Sequence, residues 1–157
     1  MTALHDARSR GWTPRTYTIA LPSGLSLINI NYRRAHVAWR AKKIRTAAAE
    51  ACYADATMRW ALIAADPNPL LDRVHVLGVL HPTNDLNPYD PINWAHSFKA
   101  ATDGLVDAGV VADDNHLHVL GPDMRLGPVV DGGQLVLHLR ELAPGEDPLG
   151  YEAVTLP

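Results

Sequence analysis

Residues 90–114 read DPINWAHSFKAATDGLVDAGVVADD, and this stretch decides the predicted fold of the chain. Its apolar residues recur at the 3.6-residue spacing of one helix face, at Trp94, Phe98, Ala101, Leu105 and Ala108. The pattern predicts a helix from Ile92 to Ala108, with Gly109 placed as its C-terminal cap. Because residues 81–91 contain three prolines and two asparagines, a loop is expected to lead into this helix.

The other side of the predicted helix is polar and carries Lys99 and Asp103, while Asp90 and the pair Asp113-Asp114 lie beyond its two ends. A helix of about 16 residues is about 24 Å long, so these acids meet only if the chain after the helix folds back. Carboxylates brought together in this way suit Mg²⁺, which takes oxygen ligands together with water and phosphate. Two ordinary interpretations stay open: the acidic pair is a solvated turn, and Lys99 only pairs with Asp103 on the helix surface.

The remaining segments predict a sheet with helices on it. Residues 35–65 are rich in alanine and predict one long helix or two. The turn signal Asp131-Gly-Gly133 predicts a hairpin, so the strand after it is expected to return along the strand before it. Strands are predicted at residues 15–21, 73–80, 116–126 and 134–140, of which 73–80 is apolar enough to be central. The order predicts an α+β fold, a mixed β-sheet flanked by helices.

The length of 157 residues suits one domain with a buried core. We expect a flexible leader at residues 1–14, the folded domain at 15–142 and a loose tail at 143–157. No apolar run approaches the roughly 20 residues of a membrane span. Since Cys52 is the single cysteine, an internal disulfide is excluded, and a cytoplasmic setting is expected. Cys52 lies in the alanine-rich pattern and is interpreted as a core residue.

The net charge of −3 argues by itself against a nucleic-acid binder, but the charge is distributed unevenly. Residues 1–60 carry ten basic and three acidic side chains, whereas residues 61–157 carry four basic and fourteen acidic ones. One part is suited to phosphates and the other to a cation, unless the two parts simply pack together. The residues suited to contact phosphates are Arg33, Arg34, Arg40, Lys42 and Lys43, with Arg45 beside them. The alternative for this cluster is a solvated helix face.

Two aromatic residues and two histidines are also candidate functional residues. Tyr32 or Trp39 has a side chain able to stack on an unpaired base, although core packing is the favoured interpretation of Trp39. His116 and His118 alternate on a predicted strand and would share one face, which makes a zinc or manganese site there a minor alternative.

The stretch 90–114 resembles the acidic core of the RusA-like endodeoxyribonucleases, which are Holliday junction resolvases. That family carries D-x-D-N, a lysine on the following helix, an aspartate four residues beyond the lysine, and then a glycine and an Asp-Asp pair before a strand. This chain has Asp90-Pro-Ile-Asn93, Lys99, Asp103 and Asp113-Asp114 in that order. The match is dense over about 25 residues, looser over residues 1–70 and absent in the tail. The resemblance implies a small homodimer that binds four-way DNA junctions and nicks two opposed strands with Mg²⁺ or Mn²⁺.

The resemblance also implies roles for individual residues. By position, the catalytic residues would be Asp90, Lys99 and Asp114, and the metal ligands Asp90, Asp113 and Asp114. Asn93 would order the loop, and Asp103 would support the site.

The chain departs from the family pattern at two places. Ile92 stands where the second acid of D-x-D-N belongs, and an alkyl side chain supplies no oxygen ligand. Pro88-Tyr89 stand where arginines are common. Two functions therefore follow from the resemblance. The first is a metal-dependent junction endonuclease, and the alternative is a RusA-fold junction-binding or protein-interaction domain with weak or no nuclease activity.

Overall fold

The computed structural model describes residues 9–31, 37–86 and 88–147. These segments contain four strands, three α-helices and one 3-10 helix. In chain order they are β1 (Thr16–Ala20), α1 (Val37–Ala54), α2 (Ala56–Ala65), β2 (Val74–His81), the 3-10 helix (Pro91–Trp94), α3 (Ala95–Asp107), β3 (Val119–Leu126) and β4 (Gln134–Glu141).

The four strands form one mixed sheet in the order β1-β4-β2-β3. β4 runs antiparallel to both β1 and β2, whereas β2 and β3 are parallel neighbours joined through α3. The predicted α+β class with a mixed sheet is therefore confirmed, and so is the central position of the apolar strand β2. Its side chains alternate between a buried face and a half-buried face.

The predicted hairpin of the last two strands is wrong. β4 lies between β1 and β2, where Leu137 pairs with Ile19 on one side and Leu135 pairs with Leu80 on the other. β3 is an edge strand, and it begins at Val119 rather than at residue 116. The physical reason is burial: three leucines of β4 need a central position, while Pro122 of β3 has no N–H for a second ladder and suits an edge.

The alanine-rich region forms two helices with a sharp break between them. Asp55 has an extended backbone and caps α2, because its side chain accepts a hydrogen bond from the Met58 amide at 2.8 Å. α2 then ends at Ala65, where Asp66-Pro67 cannot continue a helix. Of the two alternatives for residues 35–65, the structure has two helices in the part that it describes.

The core lies between α3, α1 and one face of the sheet. Phe98, Ala101 and Leu105 of α3 are fully buried, which confirms the predicted stripe, although Trp94 is only half-buried. Gly104 lets α1 approach α3 closely, since a Cβ there would lie 2.6 Å from the Ala48 Cβ and closer still to the carbonyl oxygen of Arg45. Cys52 is fully buried in this core, as expected.

The residues after β4 pack against the sheet as far as they are described. Arg73 donates from Nη1 to the carbonyl oxygens of Ala143 and Glu146, at 3.2 and 2.8 Å. The buried Glu146 carboxylate accepts hydrogen bonds from Arg140 Nη2 and from the Ala143 amide, each at 2.9 Å. The rest of the predicted tail lies outside the described residues, as does most of the predicted leader. No helix among the described residues has both the length and the apolar character that crossing a membrane requires.

Candidate active site

α3 places three charged side chains in a row on the side away from the sheet. Lys99, Asp103 and Asp107 follow one another at four-residue intervals, so each lies about one helical turn from the next. The Lys99 side chain is 60% exposed and that of Asp103 is 26% exposed. The row is therefore open to a ligand from solvent.

The chain reverses its direction directly after α3. Gly109 adopts a φ of +87°, the left-handed conformation that ends many helices. The carbonyl oxygens of Gly109 and Val110 then accept hydrogen bonds from the amides of Leu70 and Leu71, at 2.9 and 2.8 Å. These bonds tie the segment to residues 70 and 71, which lie just before β2. The fold-back that the acidic pair required is thus present, and Asp114 returns to α3.

The acidic pair lies in a tight turn that uses its two carboxylates differently. Asp113 Oδ1 accepts a hydrogen bond from the Asp114 amide at 2.7 Å, and its Oδ2 accepts one from Asn115 Nδ2 at 2.9 Å. The Asn115 carbonyl in turn accepts bonds from the amides of His118 and Val119. Both Asp113 oxygens therefore hold the turn, and Asp114 is the member of the pair that faces α3.

Lys99 bridges two carboxylates that come from different segments. Its Nζ donates to Asp103 Oδ1 at 2.6 Å and to Asp114 Oδ2. The hydrogen bond from Lys99 holds the pKa of Asp114 below its ordinary value. The bonds to Asp103, first, and to Asp114 raise the pKa of Lys99. Lys99 and Asp114 are thus ionised near neutral pH.

A second ion pair lies beside this bridge. Arg45 of α1 donates to both carboxylate oxygens of Asp107, from Nε at 2.5 Å and from Nη2 at 2.7 Å. The pairing raises the pKa of Arg45 and lowers that of Asp107. Arg45 belongs to the basic cluster predicted from the sequence, but its pairing with Asp107 has no sequence signal, because 62 residues separate the two and no local pattern links them. We call Lys99, Asp103, Asp114, Arg45 and Asp107 the α3 charge network.

Asp90 begins the 3-10 helix that leads into α3. Its Oδ1 accepts a hydrogen bond from the Ile92 amide at 3.3 Å, and its carbonyl oxygen accepts one from the Asn93 amide at 3.0 Å. Asn93 is tied to another segment, since its carbonyl oxygen accepts a bond from the Ile30 amide at 2.7 Å. Ile92 is 61% exposed, so its alkyl side chain points into solvent rather than into the core.

The structure joins some of the predicted site residues and leaves others apart. Lys99, Asp103 and Asp114 form one hydrogen-bonded group, and Asp113 is linked to it through the turn. Among the residues that the structure describes, Asp90 makes no ion pair or hydrogen bond with this group. No set of three or more His, Cys, Asp or Glu side chains is arranged for a metal ion in residues 9–31, 37–86 and 88–147.

The donor chemistry around Lys99 nevertheless fits a magnesium ion. Mg²⁺ is commonly held by one or two carboxylates, with water and substrate phosphate as the other ligands. Asp103 and Asp114 offer two carboxylates around a single ammonium group, and both are partly exposed, at 26% and 27%. A cation at this place would balance the negative charge of Asp103 and Asp114, which Lys99 now balances.

The residues of the predicted basic cluster, as far as the structure describes them, lie in different environments. Arg33 and Arg34 lie outside the described residues. Arg40 is half-buried and donates from Nη1 to the Leu27 carbonyl at 3.1 Å, whereas Lys42 and Lys43 are exposed. Lys43 Nζ lies 4.2 Å from the centroid of the Trp39 ring.

Two minor expectations are corrected by the structure. The predicted core packing of Trp39 is wrong, since the residue is 54% exposed. α1 instead buries the face that carries Ile44, Ala48 and Cys52. His116 and His118 lie in a turn before β3 and not on the strand, so they share no strand face. His118 Nδ1 instead lies 2.9 Å from the Asp72 carbonyl oxygen, within hydrogen-bond distance.

The chain was compared with models of protein families and with curated proteins. No model of a protein family matches it, and no curated protein matches it. We therefore argue its function from the α3 charge network and from the residues around that network.

Proposed function

We propose that this chain is a RusA-like Holliday junction resolvase domain, a metal-dependent endonuclease that binds four-way DNA junctions and nicks them. The observation that carries the proposal is the meeting of Lys99 with Asp103 and Asp114. The family motif links a lysine, an aspartate one helical turn later and an Asp-Asp pair before a strand. Those residues come together here only because the chain folds back after α3.

The arrangement supports phosphodiester hydrolysis. Asp114 and Asp90, with Asp103 or Asp113 beside them, would hold Mg²⁺ or Mn²⁺ together with water and the scissile phosphate. The ion would supply polarisation of the phosphate and a hydroxide formed from bound water. Lys99 is exposed and protonated, so its ammonium group is suited to hold a phosphate oxygen and to offset the charge that develops during cleavage.

Part of the proposed DNA-contacting cluster lies on the helix next to this site. Lys42 and Lys43 are exposed on α1, which packs directly against α3 at Gly104. With Arg33, Arg34 and Arg40 they would contact phosphates of the junction arms. Two opposed nicks need two sites, so the proposal includes a homodimer, which light scattering of the purified protein tests directly.

A nicking assay on a synthetic four-way junction tests the activity. With Mg²⁺ or Mn²⁺ the wild-type protein is expected to nick, and Asp114→Asn or Asp90→Asn to lower the rate at least about a hundredfold. Asp123→Asn is the matched control, because it alters another partly exposed carboxylate, which lies within hydrogen-bond distance of His75 on the sheet face opposite α3. If the wild-type protein cleaves no junction at any concentration of either metal, the proposed endonuclease activity is contradicted.

One observation favours a second candidate function, a RusA-fold domain that binds junctions or a protein partner and has weak or no nuclease activity. Ile92 presents an exposed alkyl group two residues after Asp90, where the family motif has an acid. No three-ligand metal group is formed within the described residues. If this alternative holds, junction binding is expected to persist with little cleavage.

Ile92→Asp separates the two candidates. The exposure of Ile92 means that a polar substitution is expected to leave the fold intact. A large gain in nicking supports the alternative, whereas no gain in a protein that already nicks supports the enzyme. Val129→Asp, another exposed apolar position, is the control. Equal affinity for a junction and for linear duplex at the same salt concentration contradicts both DNA-binding proposals.

A further inference from the structure

We propose that a cavity beside the 3-10 helix binds a single nucleotide, with the base against Tyr89 and Trp94 and the phosphate at Arg40. This inference deepens the proposed function, on which it rests for its link to DNA. The cavity has a volume of about 250 Å³ and lies between α1, the segment 24–27 and the turns that follow β2 and precede β4. We call it the Arg40 cavity; its lining includes Ser26, Leu27, Arg40, Thr83, Tyr89 and Trp94.

The size of the Arg40 cavity suits one small planar group. Sites that bury drug-sized ligands enclose about 300–1,000 Å³, so a cavity of about 250 Å³ is slightly smaller. A base in a duplex cannot enter such a cavity while it is paired and stacked. An unpaired base, with its sugar and phosphate at the opening, matches the available volume.

One wall of the cavity is aromatic. The rings of Tyr89 and Trp94 are stacked, with centroids 6.2 Å apart and planes inclined by 23°. Both residues are half-buried and pack against the core, so the rings are held in place and yet partly open to the cavity. Aromatic surfaces of this kind bind bases largely without regard to sequence, because every base has a π-face.

The charge of the lining favours an anion. Among the described residues, it contains Arg40 and no aspartate or glutamate, in a chain whose net charge is −3. The Arg40 side chain is fixed at the wall, because its Nη1 donates to the Leu27 carbonyl at 3.1 Å. A guanidinium group is the side chain best suited to bind a phosphate through two N–H donors. The hydroxyls of Ser26 and Thr83 add partners for the polar edge of a base.

The cavity adjoins the proposed metal ligand Asp90. Asp90 directly follows Tyr89 and caps the 3-10 helix that ends at Trp94. A nucleotide whose base lies against these two rings therefore has its phosphodiester close to the start of that helix. This placement would let one unpaired nucleotide at a branch point position the strand for the proposed cleavage site.

The experiment uses the full chain in EDTA, so that its outcome does not depend on metal or on nuclease activity. The indole N–H signals of the four tryptophans are followed by NMR, and Trp94→Phe assigns the signal of Trp94. The probes are thymidine monophosphate and a single-stranded thymidine trinucleotide. Saturable movement of the Trp94 signal with either probe is the expected result. Absence of movement with both at millimolar concentration overturns the proposal, whether or not the protein nicks junctions.

Variants test the assigned contacts. Arg40→Gln is expected to weaken binding about tenfold through loss of the charged hydrogen bonds to phosphate. Arg125→Gln, the same substitution at an exposed arginine of β3 outside the cavity, is expected to weaken it less than about twofold. Tyr89→Leu gives a second measure if Arg40→Gln proves unstable, with a similar expected loss through stacking. Equal effects of Arg40→Gln and Arg125→Gln contradict the cavity assignment.

The two probes distinguish the source of the nucleotide. Tighter binding of the trinucleotide assigns the site to an unpaired nucleotide in DNA, as the proposed function requires. Tighter binding of the monophosphate assigns it to a free nucleotide, which supports the site but separates it from the junction.

Discussion

Lys99 and Asp114, which are fifteen residues apart in the chain, form a hydrogen-bonded ion pair on the surface of α3. The pair exists because the segment after Gly109 is bound to the start of β2 and returns along the helix. It therefore connects the topology of the β2–α3–β3 unit to the chemistry of the proposed site.

Lys99→Met is expected to raise the pKa of Asp114 toward the ordinary value of about 3.9. Because the folded-state pKa of Asp114 is lowered, its contribution to stability is present above the unfolded-state pKa and is lost as the pH falls through the folded-state pKa. The raised pKa of Lys99 acts at the other end of the scale, since its contribution is lost as the pH rises through that value. NMR titration of the aspartate carboxyl carbons measures the first effect. An Asp114 titration that Lys99→Met leaves unchanged, and that matches the control Lys42→Met, contradicts the ion pair in solution.

Gly104→Ala is expected to destabilise the protein by about 1–3 kcal/mol, because the new methyl group would collide with the backbone of α1. Helix propensity alone predicts the opposite sign, about 1 kcal/mol of stabilisation. Urea unfolding measures the difference, with the exposed substitution His96→Ala on the same helix as the control. A variant more stable than wild type contradicts the close α1–α3 packing.

Glu146→Gln is expected to lower the free energy of unfolding by about 1–3 kcal/mol. The amide that replaces the buried carboxylate has one acceptor oxygen for two donors, Arg140 Nη2 and the Ala143 amide. Thermal unfolding compared with Glu50→Gln, an exposed glutamate on α1, measures the effect. Equal unfolding temperatures for both variants argue against the packing of residues 143–147 on the sheet.

Cys52 is expected to react with thiol reagents far more slowly than an exposed cysteine. Burial raises the pKa of its thiol from 9.0 to about 12, which lowers the thiolate fraction about a thousandfold at a given pH. Labelling kinetics at pH 8 measure this, with Thr57→Cys on the exposed surface of α2 as an internal control for a fast phase. Comparable rates for the two cysteines in native protein contradict the burial of Cys52.

Local features were predictable from the sequence because their causes lie within a few residues. The apolar stripe of α3, its end at Gly109 and the buried strand β2 follow from periodicity and from capping chemistry. The break at Asp55 is of the same kind, since the capping bond to Met58 spans three residues. The i, i+4 pairing of Lys99 with Asp103 was also a local expectation.

Longer-range features were not predictable in this way. The turn signal at residues 131–133 identified a change of direction but not the partner strand. After that turn, β4 could pair either with β3, as in a hairpin, or with β2 on the other side of the β2–β3 pair. The pairing of Arg45 with Asp107 and the position of Arg40 in a cavity depend on how α1 packs on the rest of the domain. Neither Trp39 nor Arg40 carries a local pattern that separates a buried from an exposed side chain.

The sequence by itself determined the α+β class, the central strand and the motif from Asp90 to Asp114, because spacing and residue type act over short distances. Only the tertiary structure decided that Asp114 meets Lys99, that Asp113 holds a turn and that β4 lies between β1 and β2. These outcomes depend on contacts between distant segments, whose pairing is set by burial of the whole sheet and helix layer rather than by any one stretch.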